Sequence, residues 1–141
     1  MTNDEIKELT VEAKVENLHH VNNFVGEFLE PLDCSMKTRM QLELAVEEIF
    51  VNIANYAYEG RTGMAVITGS VLENPLRLRL VFMDEGTPYN PLIRKDPDLE
   101  QSMEERSIGG LGIYLVKKNV EEVTYSYQDG KNVLTLCKHI Q

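Results

Sequence analysis

Glu48, Asn52, Asn55 and Glu59 follow one another at spacings of four, three and four in the segment LELAVEEIFVNIANYAYE. At 100° per residue this spacing lines four oxygen-bearing side chains along one face of a helix. Leu44 and Val51 frame the line on one side, Ala45 and Tyr56 on the other. Leu42, Val46, Ile49, Phe50, Ile53 and Ala57 form a wide apolar face, and Glu43 with Glu47 makes a separate polar edge. No Lys or Arg occurs between Met40 and Gly60, so no ion pair within this stretch accounts for the carboxylates. A carboxylate and amides framed by apolar residues suit a cleft wall facing something positively charged. Mg²⁺ carrying phosphates fits, because it takes oxygen ligands and an amide carbonyl supplies one. The competing reading is a mixed, solvated helix face.

Two further segments carry possible chemistry. In SIGGLGIYLVKKNV, Gly109, Gly110 and Gly112 precede an apolar run with helical spacing. Glycines at the mouth of a helix expose amide N–H groups to an anion, and the helix dipole reinforces them. The pattern is neither a Walker A motif nor a dinucleotide fingerprint after a strand. In LRLRLVFMDEGTPYNP, a strand-like run ends at Asp84 and meets Gly86 and Pro88. A carboxylate where a strand enters a tight turn is an acceptor for a ligand amine, although Asp-Glu-Gly is also an ordinary turn.

The elements that must position these residues follow from periodicity. Val11, Ala13 and Val15 alternate, predicting a half-buried strand over residues 10–16. Asn17 is placed to cap a helix carrying Leu18, Val21, Val25, Phe28 and Leu29, which stops near Pro31. A second helix is expected from about Ser35 to Tyr58. Two strands follow, MAVITGSVL and LRLRLVFM, joined at Glu73-Asn74-Pro75. Residues 85–108 read as a long loop, and loops beyond about 12–15 residues in a compact domain are usually functional or disordered. The glycine-led helix and a hairpin around Asp129-Gly130 close the chain. The order predicts an α+β two-layer sandwich, a mostly antiparallel sheet with helices on one face, as a single domain over residues 1–141.

Composition bounds the function. The chain of 141 residues is 43% hydrophobic and 26% charged, ordinary for a soluble globular protein. No stretch approaches the roughly 20 apolar residues that span a bilayer, and the polar, acidic start MTNDEIKELT is no targeting signal. The net charge of -9 argues against a nucleic-acid partner. Cys34 and Cys137 have no metal-type spacing and read as free thiols of a reducing, cytoplasmic compartment. His19 and His20 read as surface residues, the methionines as core filler, and Tyr125 and Tyr127 as packing or solvent-facing strand residues.

The ordered set ELAVEEIFVNIANYAY, DEGTPYNP, GGLGIYLVKK and DGKNVLTLCK resembles the GHKL (histidine kinase-like) ATPase family over residues 8 to 139. Within that family it is most similar to the RsbW-like anti-sigma factor serine/threonine kinases. The resemblance implies the Bergerat fold, ATP and Mg²⁺, and an ATP lid over about residues 85–108. It implies Glu48 as general base for the acceptor hydroxyl and Asn52 as magnesium ligand, with Asn55 beside it at the nucleotide. Asp84 would accept from the adenine amino group and Gly86 would let the base approach. Gly110, Leu111 and Gly112 would offer the phosphate-binding turn, widened by Gly109. Arg106 would be the lid arginine near the terminal phosphate, and Thr135 the threonine near adenine. Pro88, Tyr89 and Asn90 depart from the commoner glycine-box spelling. Implied partners are a STAS-type anti-sigma factor antagonist as substrate, a sigma factor as bound target, and a second copy in a homodimer. Two other readings stand beside this one: a non-catalytic, nucleotide-gated binding module, and a detached histidine kinase catalytic domain.

Overall fold

The computed structural model describes residues 5–93 and 110–140. Its sheet contains β1 (Lys7–Glu12), β2 (Met64–Leu72), β3 (Arg77–Asp84), β4 (Glu122–Gln128) and β5 (Lys131–His139). The strands lie in the order β1-β2-β3-β5-β4, and every neighbouring pair is antiparallel. The helices are α1 (Leu18–Leu29), α2 (Met36–Asn52) and α3 (Gly110–Asn119). This is the α+β sandwich that the element order predicts.

Strand alternation defines the buried layer. Ala65 and Ile67 on β2, Leu78, Leu80 and Phe82 on β3, and Leu134 and Leu136 on β5 are all buried. They meet Val21 and Val25 of α1 and Leu42, Val46, Ile49 and Phe50 of α2. Burying each large aliphatic or aromatic side chain contributes roughly 1.5–3 kcal/mol, so this interface dominates the stability of the sandwich. The β4–β5 hairpin closes through Asp129 and Gly130, at φ 53° and 77°. Two consecutive positive values are what a two-residue type I′ turn requires, and a glycine meets that requirement at no steric cost.

Several boundaries differ from expectation. β1 lies earlier, at Lys7–Glu12, and Val15 is exposed at the start of a short 3-10 turn. The inward alternation is carried by Leu9 and Val11, followed by buried Ala13. Asn17 precedes α1, but its amide donates to Glu12 O at 2.9 Å and makes no cap bond. Ser35 does cap α2, accepting from Thr38 N at 3.1 Å. Met36, Met40 and Met64 are exposed, not core filler. Both cysteines are free, with Cys137 buried.

Two features bear directly on the site. The second helix does not continue as an α-helix to Tyr58; after Asn52 it widens into a single π-turn, Ile53–Ala57. Such wide turns inside α-helices recur at functional sites. The far end of α3 is fixed by Lys138, which is 4% exposed. Its ammonium donates to Asn119 O at 2.7 Å and to Gln41 Oε1 at 2.9 Å, with Glu121 Oε2 at 3.7 Å. A cation at the negative end of the helix dipole ties α3 to β5 and α2 at once.

Candidate functional site

A cavity of about 610 Å³ opens between the end of α2, the π-turn, the start of α3 and the inward face of β3, β4 and β5. That volume falls among those of small-molecule sites. Ile49, Ile53, Phe82, Ile113 and Leu134 supply its apolar lining. Its polar groups are placed in two sets. Asn52, Asn55 and Glu59 line one wall, and Asp84, Thr87, Tyr125 and Asn132 lie on the sheet side.

Asp84 is 6% exposed at the last position of β3, directly opposite Ala65 of β2 and Asn132 of β5. Its Oδ1 accepts from Gly86 N and from Asn132 Nδ2, both at 2.9 Å. Among the described residues no donor reaches Oδ2. A buried carboxylate holding one oxygen in a network and one toward an apolar cavity is an acceptor for a single ligand donor.

The turn after Asp84 is clamped to the π-turn. A β-carbon at Gly86 would fall 2.1 Å from Ala57 O, and Thr87 N donates to that same carbonyl at 3.0 Å. A side chain at Gly86 would thus collide with the helix end that approaches it, a constraint that the protein itself imposes. Tyr58 completes the clamp. Its hydroxyl donates to Met64 O and accepts from Glu85 N at 2.9 Å. Burial is the main reason this phenol titrates above its ordinary range.

The other end of the site is built by α2 and α3. Gly112 is buried in the first turn of α3, and a β-carbon there would lie 2.8 Å from Glu48 Oε2 and 3.8 Å from Asn52 Nδ2. Glu48 and Asn52, one turn apart on α2, thus both face the glycine-led turn. Asn52 also lines the cavity, whereas Glu48 lies just beyond its lining. Burial first, and then the charge of Glu47, pushes the Glu48 carboxyl above the usual carboxylate range. Among the described residues α3 begins at Gly110, so Gly110, Leu111 and Gly112 form its first described turn.

The structure thus brings Glu48, Asn52, Asn55, Asp84, Gly86, Gly110, Leu111 and Gly112 to one region. Arg106 and Gly109 lie outside the described residues, as does most of the expected lid. Thr135 does not join the site. It alternates out of phase with Asn132, Leu134 and Leu136, which places it on the sheet face turned away from the helices. Asn132 occupies the inward position instead. Its amide donates to Asp84 Oδ1 and, at 3.0 Å, to Thr87 O, while its Oδ1 accepts from Tyr89 N at 3.1 Å and from the Tyr125 hydroxyl. Tyr125 lines the cavity, while Tyr127 is exposed. Asn132 and Tyr125 were not among the expected site residues. Their signal is the pairing of Asp84 with Asn132, which joins residues 48 apart in the chain.

Among the described residues, no three His, Cys, Asp or Glu side chains form a cage for a metal ion. The donors present suit a cation that brings its own phosphate and water oxygens, as Mg²⁺ does with nucleotides. Asn52, whose amide lies near the glycine turn, is a residue that could hold such an ion through its side-chain oxygen.

The fold is an α+β sandwich whose antiparallel sheet floors a cavity with a buried carboxylate at one end and the first turn of α3 near the other. Residues 11–138 match the histidine kinase-like ATPase domain, and the chain belongs to that family. It is 28% identical over 105 residues to the serine/threonine-protein kinase BtrW of Bordetella bronchiseptica, covering 74% of this chain and 73% of that one. It is 30% identical over 104 residues to the serine-protein kinase RsbW of Bacillus thuringiensis, covering 71% of this chain but 63% of the relative. The match therefore spans under two thirds of that relative's length. The fold also superposes on a crystal structure of the RsbU and RsbW domains of a Mycobacterium tuberculosis protein, with a TM-score of 0.66 at 15% identity. That superposition covers 96% of this chain and 32% of the other.

Proposed function

We propose that this protein is an ATP-dependent serine/threonine kinase that phosphorylates a STAS-type anti-sigma factor antagonist and binds a sigma factor. The observation that carries the reading is Glu48, held against the glycine turn of α3 and one helical turn from Asn52, with its pKa raised by burial. Nucleotide binding alone does not call for that carboxylate, whereas phosphoryl transfer calls for a base at the acceptor hydroxyl. The similarity to proteins named as serine kinases supports the same reading.

In this reading the adenine amino group donates to Asp84 Oδ2 while Ile53, Phe82 and Leu134 enclose the ring. The phosphates lie toward the first turn of α3, where the amides of Gly110, Leu111 and Gly112 meet their charge. Asn52 would hold Mg²⁺ through its amide oxygen, and that ion supplies neutralisation of phosphate charge. Glu48 accepts the proton of the partner's serine or threonine hydroxyl. The freed oxygen bonds to the terminal phosphorus as the bond to the bridging oxygen breaks, leaving ADP and a phosphorylated partner. Segment 85–108 acts as the lid, with Arg106 approaching the terminal phosphate. Among the described residues no helix is long and apolar enough to cross a membrane, which fits the proposed cytoplasmic setting.

The test is incubation with labelled ATP, Mg²⁺ and a STAS-domain protein, with the phosphorylated residue located by mass spectrometry. Transfer to one serine or threonine is expected. ATP binding without transfer to any bound antagonist would leave a nucleotide-gated binding module as the better account.

A further inference from the structure

We propose that Asn132 makes Asp84 a one-oxygen acceptor and thereby sets the base preference of the site, adenine over guanine. The proposal rests on the nucleotide-binding reading above.

Asp84 Oδ1 has two lone pairs, and both are taken, one by Gly86 N and one by Asn132 Nδ2, each at 2.9 Å. Only Oδ2 is left for a ligand. Asn132 is 8% exposed and its orientation is determined from both ends. Tyr89 N at 3.1 Å and the Tyr125 hydroxyl both donate to its Oδ1, so its amide nitrogen must face Asp84. Turning the amide over would set its carbonyl against the carboxylate and the Thr87 carbonyl, and its NH₂ group against the Tyr89 N–H. The second amide hydrogen goes to Thr87 O at 3.0 Å, so Asn132 has no donor left for a ligand.

The two purines differ in what they ask of such a carboxylate. Adenine offers one donor, its 6-amino group, beside the N1 acceptor. Guanine offers two adjacent donors, N1–H and the 2-amino group, which pair with a carboxylate through both oxygens. At Asp84 guanine satisfies one donor at Oδ2 and leaves the other buried without a partner, and an unpaired buried donor is costly. Asn132 touches no base in this scheme; it is a positioning residue that acts through Asp84.

The experiment measures ADP and GDP affinities by calorimetry for the wild type, Asn132→Ala and Tyr125→Phe. The wild type should prefer ADP by roughly tenfold or more, the usual consequence of one unsatisfied buried group. Asn132→Ala returns a lone pair to Oδ1, so the preference should shrink by roughly tenfold, chiefly through tighter GDP binding. Tyr125→Phe loosens the amide and should shrink it by a smaller factor; it carries the test alone where the alanine variant does not fold. Equal wild-type affinity for ADP and GDP overturns the proposal. So does an unchanged ADP-to-GDP ratio in the folded variants, including a parallel loss for both nucleotides, which is what a merely structural role produces. A wild type that binds neither nucleotide overturns instead the nucleotide-site reading on which the proposal stands.

Discussion

Gly112 and Glu48 are in near contact: a β-carbon added to the glycine would lie 2.8 Å from the Glu48 Oε2 atom. The missing side chain is what lets the first turn of α3 rest directly on the polar line of α2. The atom it would displace is the far end of a flexible side chain, so the carboxylate can yield without disturbing the core.

Gly112→Ala should therefore separate stability from catalysis. Alanine in a helix gains roughly 1 kcal/mol over glycine, and swinging the carboxylate aside offsets part of that. Denaturation should show equal or slightly greater stability. Phosphoryl transfer should fall at least about tenfold, because Glu48 no longer meets the acceptor hydroxyl. Transfer at the wild-type rate would show that the position of Glu48 is immaterial.

Gly86→Ala should behave in the opposite way. Its β-carbon would meet the Ala57 carbonyl at 2.1 Å, and backbone cannot rotate aside. The turn that orients Asp84 must move, at a cost of roughly 1–3 kcal/mol as for other overpacked sites. Urea denaturation and ADP titration should both worsen. A variant with wild-type stability would mean that the clamp between this turn and the π-turn is loose.

Asp84→Asn should weaken nucleotide binding whichever way its amide turns. The Oδ1 atom already accepts from Gly86 N and Asn132 Nδ2, so the new NH₂ group either opposes both of these donors or faces the ligand amine. ADP affinity should drop by about 2–4 kcal/mol, consistent with losing hydrogen bonds to a charged group and leaving a mismatch. Calorimetry returning the wild-type affinity for the folded variant would remove Asp84 from the site.

Glu48→Gln and Asn52→Ala should part company. The glutamine variant should bind ATP almost as the wild type does while transfer falls roughly 10²–10⁴-fold. Asn52→Ala should weaken Mg-ATP binding and transfer together. Glu48 also has a signature in stability. Burial raises its folded pKa above the ordinary 4.5, so the native state binds the proton more tightly than the unfolded chain. Its contribution to stability is most favourable below pH 4.5 and is lost as pH rises through the folded pKa. The glutamine variant lacks this penalty, so its stability relative to wild type should rise from pH 4 to pH 7. Urea denaturation at the two pH values that gave a constant difference would show that Glu48 is not desolvated in the native state.

Local sequence carried much of this protein. Period-2 runs marked β2, β3 and β5, the Asp129-Gly130 pair marked its hairpin, and the polar line on α2 pointed to Glu48 and Asn52 as neighbours. These signals survive in a single sequence because they depend on spacing within one element, where geometry follows from the chain alone. What the tertiary structure decided lay between elements. That Gly86 yields to Ala57 depends on a helix end arriving at a loop 29 positions later in the chain. Placing β1 at Lys7–Glu12 depended on its pairing with β2, whose register selects Leu9 and Val11 for the buried face. Thr135 and Asn132 differ by three positions on one strand, an odd number, so only one of them can share the face of Asp84. Which one is set by the register of β5 against β3, where Asp84 stands opposite Asn132. A strand's own sequence does not encode its partner's phase, and here that phase assigns the residue beside the buried carboxylate.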